Sequence, residues 1–280
     1  MLRLTVVGAG HVGPVLGRLF HAAGAFAVHD VLARSEASAA RAAGFIGAGS
    51  PLAGYGALRQ ADVYMLAVTD DQVVPACEAL AAAVPLQGAV VFHCSGALAS
   101  DRLQAARAAG AHVASVHPVR SFADAQAVAE QFAGTFCGVE GDQPALDVLL
   151  PALAAIGARA VRIDASAKTV YHAAAVFASN YLVTVLDAAL RAYQAAGIPE
   201  DVARELARPL ATESMENVFH LGAAPALSGP IARGDMATVQ RQQSAVAAWD
   251  AATGQLYQAL VPPTVALAER KRVAACKSKA

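Results

Sequence analysis

Gly8-Ala9-Gly10-His11-Val12-Gly13 follows the apolar run Leu4-Thr5-Val6-Val7 and opens the helix-like stretch Pro14-Val15-Leu16-Gly17-Arg18-Leu19-Phe20. Strand, glycine loop and helix in that order form a turn suited to a dinucleotide. Gly8 permits a tight turn after the strand. Gly10 keeps side chains out of the way of a pyrophosphate, and Gly13 lets helix and strand pack closely. His11 and Val12 then stand at the helix N-terminus, where free amides and the positive dipole end favour phosphate. The bland alternative is a glycine-rich turn with no ligand.

Outward from this loop, strand-like segments at 4–7, 26–33, 63–68, 89–93 and 112–116 alternate with alanine-rich helical stretches at 14–23, 36–43, 71–83 and 100–109. Apolar strands alternating with helices imply a parallel sheet covered on both faces. Two further strands, 134–139 and 160–163, flank a helix at 144–156 and extend the sheet. After Asp164 the pattern is helical only: 168–196, then Gly197-Ile198-Pro199 as a break, then 200–221, 236–260 and 263–271. The expected architecture is α/β: a doubly wound, mostly parallel sheet over residues 1–164, followed by an all-α domain over 165–280.

Composition narrows the function classes. The 280 residues are 56% hydrophobic and 15% charged, with a net charge of -1. This excludes a disordered chain and provides no basic field for nucleic acid and no polybasic membrane arm. Lys277 and Lys279, with Arg270, Lys271 and Arg272, read as a small frayed basic tail. Cys77, Cys94, Cys137 and Cys276 are widely spaced, with no C-x-x-C pair and no metal-ligand spacing. With no signal pattern at Met1, reduced thiols in the cytoplasm are expected. The stretch 173–190 is the most apolar, yet carries Asn180 and Asp187. It reads as a buried helix of a soluble protein rather than a membrane span. It also offers more apolar surface than a domain of this size needs internally, which points to a homodimer.

Residues able to carry chemistry cluster after the strands. The second strand, Val28-His29-Asp30-Val31-Leu32-Ala33, ends in Arg34-Ser35. A guanidinium and a hydroxyl at that tip suit a ribose 2′-phosphate, hence NADP(H) in preference to NAD(H). In a different register, Asp30 would read the ribose instead. Thr69 lies where it can touch the nicotinamide-side ribose, while Asp70 or Asp71 can cap the next helix. His93-Cys94-Ser95-Gly96 and His117-Pro118, the latter with Arg120 and Ser121, follow the next two strands. Ser95 and Gly96 offer a hydroxyl and backbone amides there. Cys94 reads as a small buried hydrophobe.

In the helical half, Lys168 and His172 are four apart and Asn180 is eight further on, all roughly on one helix face. Lys168 or His172 could donate a proton to a carbonyl or imine. Equally, they could be a solvated lysine and an interface histidine. Ser228-Gly229-Pro230-Ile231-Ala232-Arg233-Gly234-Asp235 reads as a loop. Its Arg233 could hold a carboxylate or phosphate, or pair with Asp235.

These motifs carry a resemblance over nearly the whole chain. The chain resembles a bacterial family that joins a Rossmann-like N-terminal domain to a helical C-terminal domain of unknown function, often labelled NADP oxidoreductases of the deazaflavin-dependent type. The matching residues are the glycine loop, Arg34-Ser35, His93-Cys94-Ser95-Gly96, His117-Pro118, Lys168-Thr169-Val170-Tyr171-His172-Ala173-Ala174-Ala175 through Ser179-Asn180-Tyr181, and Gly229-Pro230-Ile231-Ala232-Arg233-Gly234-Asp235.

More distantly the chain is similar to β-hydroxyacid dehydrogenases, pyrroline-carboxylate reductases and prephenate dehydrogenases. The hydroxyacid dehydrogenases carry Lys and, four residues on, Asn; here His172 stands in the second place. Prephenate dehydrogenases share a His-Pro like His117-Pro118. The resemblance implies an N-terminal NADP domain and a helical domain that dimerises.

Residues and resemblance together suggest an NADP(H)-dependent oxidoreductase acting on a C–O or C–N centre of a small, anionic metabolite. Gly8, Gly10, His11, Val12, Gly13, Arg34, Ser35, Thr69 and Ser95 would bind cofactor. Lys168, His172, Ser95 and His117 are the catalytic candidates, and Gly96, Asn180 and Arg233 the substrate-binding ones. No metal is expected. The competing expectation is a non-catalytic NADP(H) sensor that signals to a protein partner. A deazaflavin–NADP reductase is a third.

Overall fold

The computed structural model describes residues 1–277, which form two compact units, Met1–Ser179 and 180–277. In the first, eight strands make one sheet: β1 (Arg3–Val7), β2 (Ala27–Leu32), β3 (Ser50–Leu52), β4 (Val63–Leu66), β5 (Val90–His93), β6 (His112–Pro118), β7 (Phe136–Gly141) and β8 (Arg159–Arg162). Their order is β3-β2-β1-β4-β5-β6-β7-β8. All neighbours are parallel except β6 and β7. The order reverses beside β1, which is where an open α/β sheet forms a ligand crevice at its strand carboxyl ends.

Every residue of β4 and β5 is buried, because helices cover both faces. On one side Leu4, Val6 and Phe92 pack with Val15, Leu16 and Phe20 of α1 (Val12–Ala22), Ala42 and Ile46 of α2 (Glu36–Ile46), Val128 of α5 (Ala125–Glu130) and Leu146 and Leu149 of α6 (Gln143–Ala155). On the other, Val7, Tyr64 and Val91 pack with Val73, Cys77 and Leu80 of α3 (Asp70–Ala83) and Ala106 of α4 (Gln104–Ala108). Continuous apolar strands are the signature of such a sheet.

Several elements differ from the sequence expectation. The three-residue β3 was not anticipated, since it is short and carries Pro51, a residue that sheets accept at an edge. The short α5 was also missed. Its signal is Asp124, whose carboxylate accepts the amides of Gln126 and Ala127 at 2.9 and 3.1 Å. The stretch 100–109 divides at Leu103 into a 3-10 turn, Ser100–Arg102, and α4. Strand β6 continues through Pro118 because β7 returns antiparallel and pairs His117 with Gly138.

The first unit runs past residue 164 because α7 (Lys168–Val176) anchors Lys168 and Tyr171 in it. A π-helical segment, Phe177–Tyr181, leads into α8 (Leu182–Ala195). The second unit continues with α9 (Glu200–Leu221), α10 (Ala223–Ala226), α11 (Gly229–Arg233), α12 (Met236–Trp249) and α13 (Ala251–Lys277). Among the described residues no strand follows β8.

The expected helix 236–260 is interrupted at Asp250, whose carboxylate accepts the Thr253 amide at 2.6 Å and caps α13 instead. Pro262 and Pro263 stay within α13 rather than starting a new helix. The expected loop 228–235 is a helical turn closed by Gly234 at φ +80. Lys279 of the basic tail lies outside the described residues.

The apolar stretch 173–190 departs most from expectation. A helix at 165–195 is long and apolar enough to cross a membrane, with mean hydropathy 1.5, and none of its apolar window is buried in the single chain. The expected burial is absent because α8 packs chiefly against α9 within its unit and leaves Val183 66% exposed.

Candidate active site

The loops after β1, β2, β4, β5 and β6 all open on the carboxyl edge of the parallel strands. In the first, Gly8 has φ +113, and a Cβ there would lie 2.3 Å from the Ala67 carbonyl oxygen. The Gly8 amide donates to Leu32 O at 2.8 Å. A Cβ on Gly13 would lie 2.6 Å from Gly8 O and 2.9 Å from the Ala67 Cβ, so α1 approaches the strand as closely as the motif requires. Gly10 faces open space. His11, exposed, is the residue before α1 and makes no side-chain capping bond, while Val12 is half-buried. The first-turn amides of α1 therefore keep no side-chain acceptor of their own, which fits a bound pyrophosphate.

Within β2, Asp30 is fully buried and closed off. It accepts the Arg59 backbone amide at 3.0 Å and Nε at 2.9 Å, and also bonds the terminal guanidinium nitrogen. The alternative in which Asp30 reads the ribose is thereby corrected: both its oxygens are engaged inside the fold. Arg34 and Ser35 are exposed beyond it. The Ser35 hydroxyl caps α2 by accepting the Ser38 amide at 3.3 Å, and Arg41 donates to Ser38 Oγ at 3.0 Å. Two arginines and two serines thus gather at one helix start. Ser38 and Arg41 were missed by sequence reading, though their spacing of three and six from Ser35 carries the signal. Thr69 itself, not Asp70 or Asp71, is the residue before α3. Its hydroxyl, with Gln72, holds the Asp71 carboxyl below its ordinary range.

After β5 the chain is held by His93. Its Nδ1 accepts the Ser95 amide at 3.2 Å and its Nε2 faces Ala99 O at 3.1 Å, so the proton sits on Nε2. Burial pushes the His93 pKa down to about 4 from 6.5. A folded-state value below the unfolded one means that the unfolded chain binds more protons between these limits. Stability contributed here is therefore full above pH 6.5 and falls as pH drops toward 4, by about 3 kcal/mol. Urea unfolding at pH 7 and pH 4.5 should show a gap that His93→Gln narrows by about 2–3 kcal/mol.

The Ser95 hydroxyl is buried and accepts the amides of Ala97 and Leu98 at 3.2 and 3.0 Å, shaping the turn. Over Gly96 stand two imidazoles. A Cβ on Gly96 would lie 2.3 Å from His172 Cδ2 and 2.8 Å from His117 Nε2. The rings are 5.6 Å apart and edge-to-face. Burial first, then Lys168 and His172, push the His117 pKa down to about 4, so it is neutral at physiological pH. On its far side, His117 Nδ1 is 3.0 Å from Tyr171 Oη.

Lys168 lies beneath this floor, only 1% exposed. Its Nζ donates to Ser95 O at 2.9 Å and to Ser115 Oγ at 2.5 Å. Burial lowers its pKa, opposed by Glu140. Glu140 is itself occupied by the Ser100 amide and hydroxyl, both at 2.7 Å. Burial also pushes the thiols of Cys94 and Cys137 up to about 12, so neither is a nucleophile at neutral pH.

The structure therefore brings Ser95, Gly96, His117, Lys168 and His172 together from segments far apart in sequence. Asn180 and Arg233 belong to the second unit. Arg233 is exposed at the end of α11 and forms no ion pair with Asp235, which caps α12 through Thr238. Sequence reading missed Ser115, Gly138 and the role of Tyr171. Ser115 shares a strand face with His117, two residues on, which is the signal it carried.

The Rossmann-like domain family matches residues 1–118, and the domain of unknown function DUF2520 matches residues 135–264. No curated protein matches the chain. Among solved structures, a Thermotoga maritima protein is 27% identical, with 96% of this chain and 99% of that one covered at a TM-score of 0.73. A proposed NADP oxidoreductase from Bacteroides fragilis is 20% identical over 94% of this chain and 98% of its own, with a TM-score of 0.76. An imine reductase from Myxococcus stipitatus in complex with NADP+ is 18% identical over 97% of this chain and 94% of its own, with a TM-score of 0.64. This chain thus carries a Rossmann-like domain followed by a domain of the DUF2520 family.

Proposed function

We propose that the protein is an NADP(H)-dependent oxidoreductase acting on a C–O or C–N centre of a small, anionic metabolite. The observation that carries this reading is one sheet edge holding both an open glycine loop and a pair of imidazoles over Gly96. The NADP-linked neighbours support it. Gly8, Gly10, Gly13, His11 and Val12 seat the pyrophosphate, and Arg34 and Ser35 receive the 2′-phosphate with Ser38 and Arg41 beside them. Thr69 meets the nicotinamide ribose. NADPH, when bound, would supply a hydride to the substrate carbon, and a proton drawn from solvent would complete the heteroatom. His117 and His172 hold that heteroatom over Gly96. Lys168 acts through Ser95 and Ser115 as a positioning residue rather than as the expected proton donor, because its ammonium is turned into the fold. Arg233 offers a carboxylate- or phosphate-binding group on the second unit, and Asn180 stays a substrate-binding candidate.

The deciding experiment is titration of the protein with NADPH and NADH. NADPH should bind more tightly. Arg34→Ala should weaken NADPH by about 10–100-fold, the loss of one charge-assisted contact, and leave NADH nearly unchanged. Equal binding of both nucleotides would remove the NADP preference. Binding without turnover across a screen of carbonyls and imines would favour the sensor.

The exposed apolar faces of α8 and α9 support a homodimer. Val183 is 66%, Leu210 61% and Phe219 88% exposed, a combination that monomers seldom display. Light scattering at micromolar concentration should give twice the chain mass, and Val183→Glu with Leu210→Glu should reduce it to one. A reducing cytoplasm suits the four free cysteines.

A further inference from the structure

We infer that Tyr171 is a positioning residue that holds the His117 imidazole with its proton on Nε2, so that an N–H, not a lone pair, faces the space over Gly96. This rests on reading that edge as the reaction site. Tyr171 Oη and His117 Nδ1 are 3.0 Å apart, and the two rings stand at 89°. The phenol occupies the room left by Gly138, where a Cβ would fall 2.4 Å from Oη. Burial raises the Tyr171 pKa above its ordinary value of 10.0, so the phenol stays protonated.

Among the described residues its hydrogen has one acceptor at hand, Nδ1. Were Nδ1 to donate instead, the phenolic hydrogen would be left without a partner in a half-buried site. The hydrogen bond from Tyr171 O–H to Nδ1 therefore places the imidazole proton on Nε2. The charged and titratable groups facing His117 are Lys168, His172 and Tyr171, with Asp70 acting more weakly. Burial first, then Lys168 and His172, disfavours the imidazolium, so His117 stays neutral. A neutral imidazole with its N–H aimed at a substrate polarises a C=O or C=N without transferring its own proton, so the proton delivered to the heteroatom comes from solvent.

The test is long-range proton–nitrogen NMR on the full chain labelled with ¹⁵N-histidine, with His117 assigned by loss of its signal in His117→Gln. The expected result is a neutral His117 protonated on Nε2. In Tyr171→Phe its pKa should rise by about 0.5–1, the equivalent of one neutral hydrogen bond, and the Nδ1–H form should become populated. Gly138→Ala, which displaces the phenol, should do the same while leaving Tyr171 in the sequence. A wild-type proton on Nδ1, or a His117 that titrates identically in both variants, overturns the assignment. NADPH titration of the same sample reports separately on the site reading, since the tautomer is measured with no ligand present.

Discussion

Gly8→Ala is expected to abolish NADPH binding and lower the melting temperature, whereas Gly10→Ala is expected to weaken binding alone. The two glycines are two residues apart but serve different masters. Gly8 has φ +113, and its Cβ would fall 2.3 Å from Ala67 O and 2.7 Å from Ala67 C, backbone atoms of the chain after β4. Backbone strain of this kind costs of order 1–3 kcal/mol, and the overlap adds to it. A drop of about 3 kcal/mol corresponds to roughly 6–12 °C in a chain of this size. A Cβ on Gly10 meets nothing within 4 Å, so the protein itself has no need of a glycine there. Only a ligand pressed against the loop does. Thermal melts and nucleotide titrations on the two variants separate these causes. Unchanged NADPH affinity in Gly10→Ala would falsify the loop as the pyrophosphate seat.

Gly96→Ala is expected to leave the fold intact and cost at least about 100-fold in turnover, the scale associated with displacing a reacting group by an ångström. Gly96 has no positive φ, so alanine is acceptable to the backbone. The collision is with the imidazoles: 2.3 Å to His172 Cδ2, and 2.8 and 2.9 Å to His117 Nε2 and Cε1. His117 is tethered through Nδ1 to Tyr171 and cannot swing freely. Circular dichroism should match wild type and NADPH affinity should change little. NADPH oxidation with the first accepted carbonyl or imine should collapse. Wild-type turnover in this variant would mean that the imidazoles do not hold the reacting group.

Much of this is legible in the sequence alone. The strands at 4–7, 63–66 and 90–93 are continuous apolar runs because helices cover both their faces, and burial on two sides leaves that trace in a sequence. The glycine loop is equally local, since Gly8 answers to a turn and Gly13 to its own strand. Candidate residues after β1, β2, β5 and β6 were findable because strand carboxyl ends are where such folds place chemistry. The short β3 and α5 left too few periods to register. Asp30 looked available because its sequence neighbours do not reveal Arg59, which engages it from 29 residues away.

The succession of the longer strands and helices along the chain, the glycine turn and the identity of the side chains at the sheet edge were determined by the sequence itself, because period-two and period-3.6 patterns and glycine conformations act over a few residues. Tertiary structure alone decided which of those side chains meet. The antiparallel return of β7 sets Gly138 beside His117. That gap admits Tyr171, and Lys168 reaches across 73 positions to Ser95 and 53 to Ser115. Such contacts depend on strand order and pairing across the whole sheet. Local pattern is silent on both, so the chemistry of this edge became readable only once the chain had folded over it.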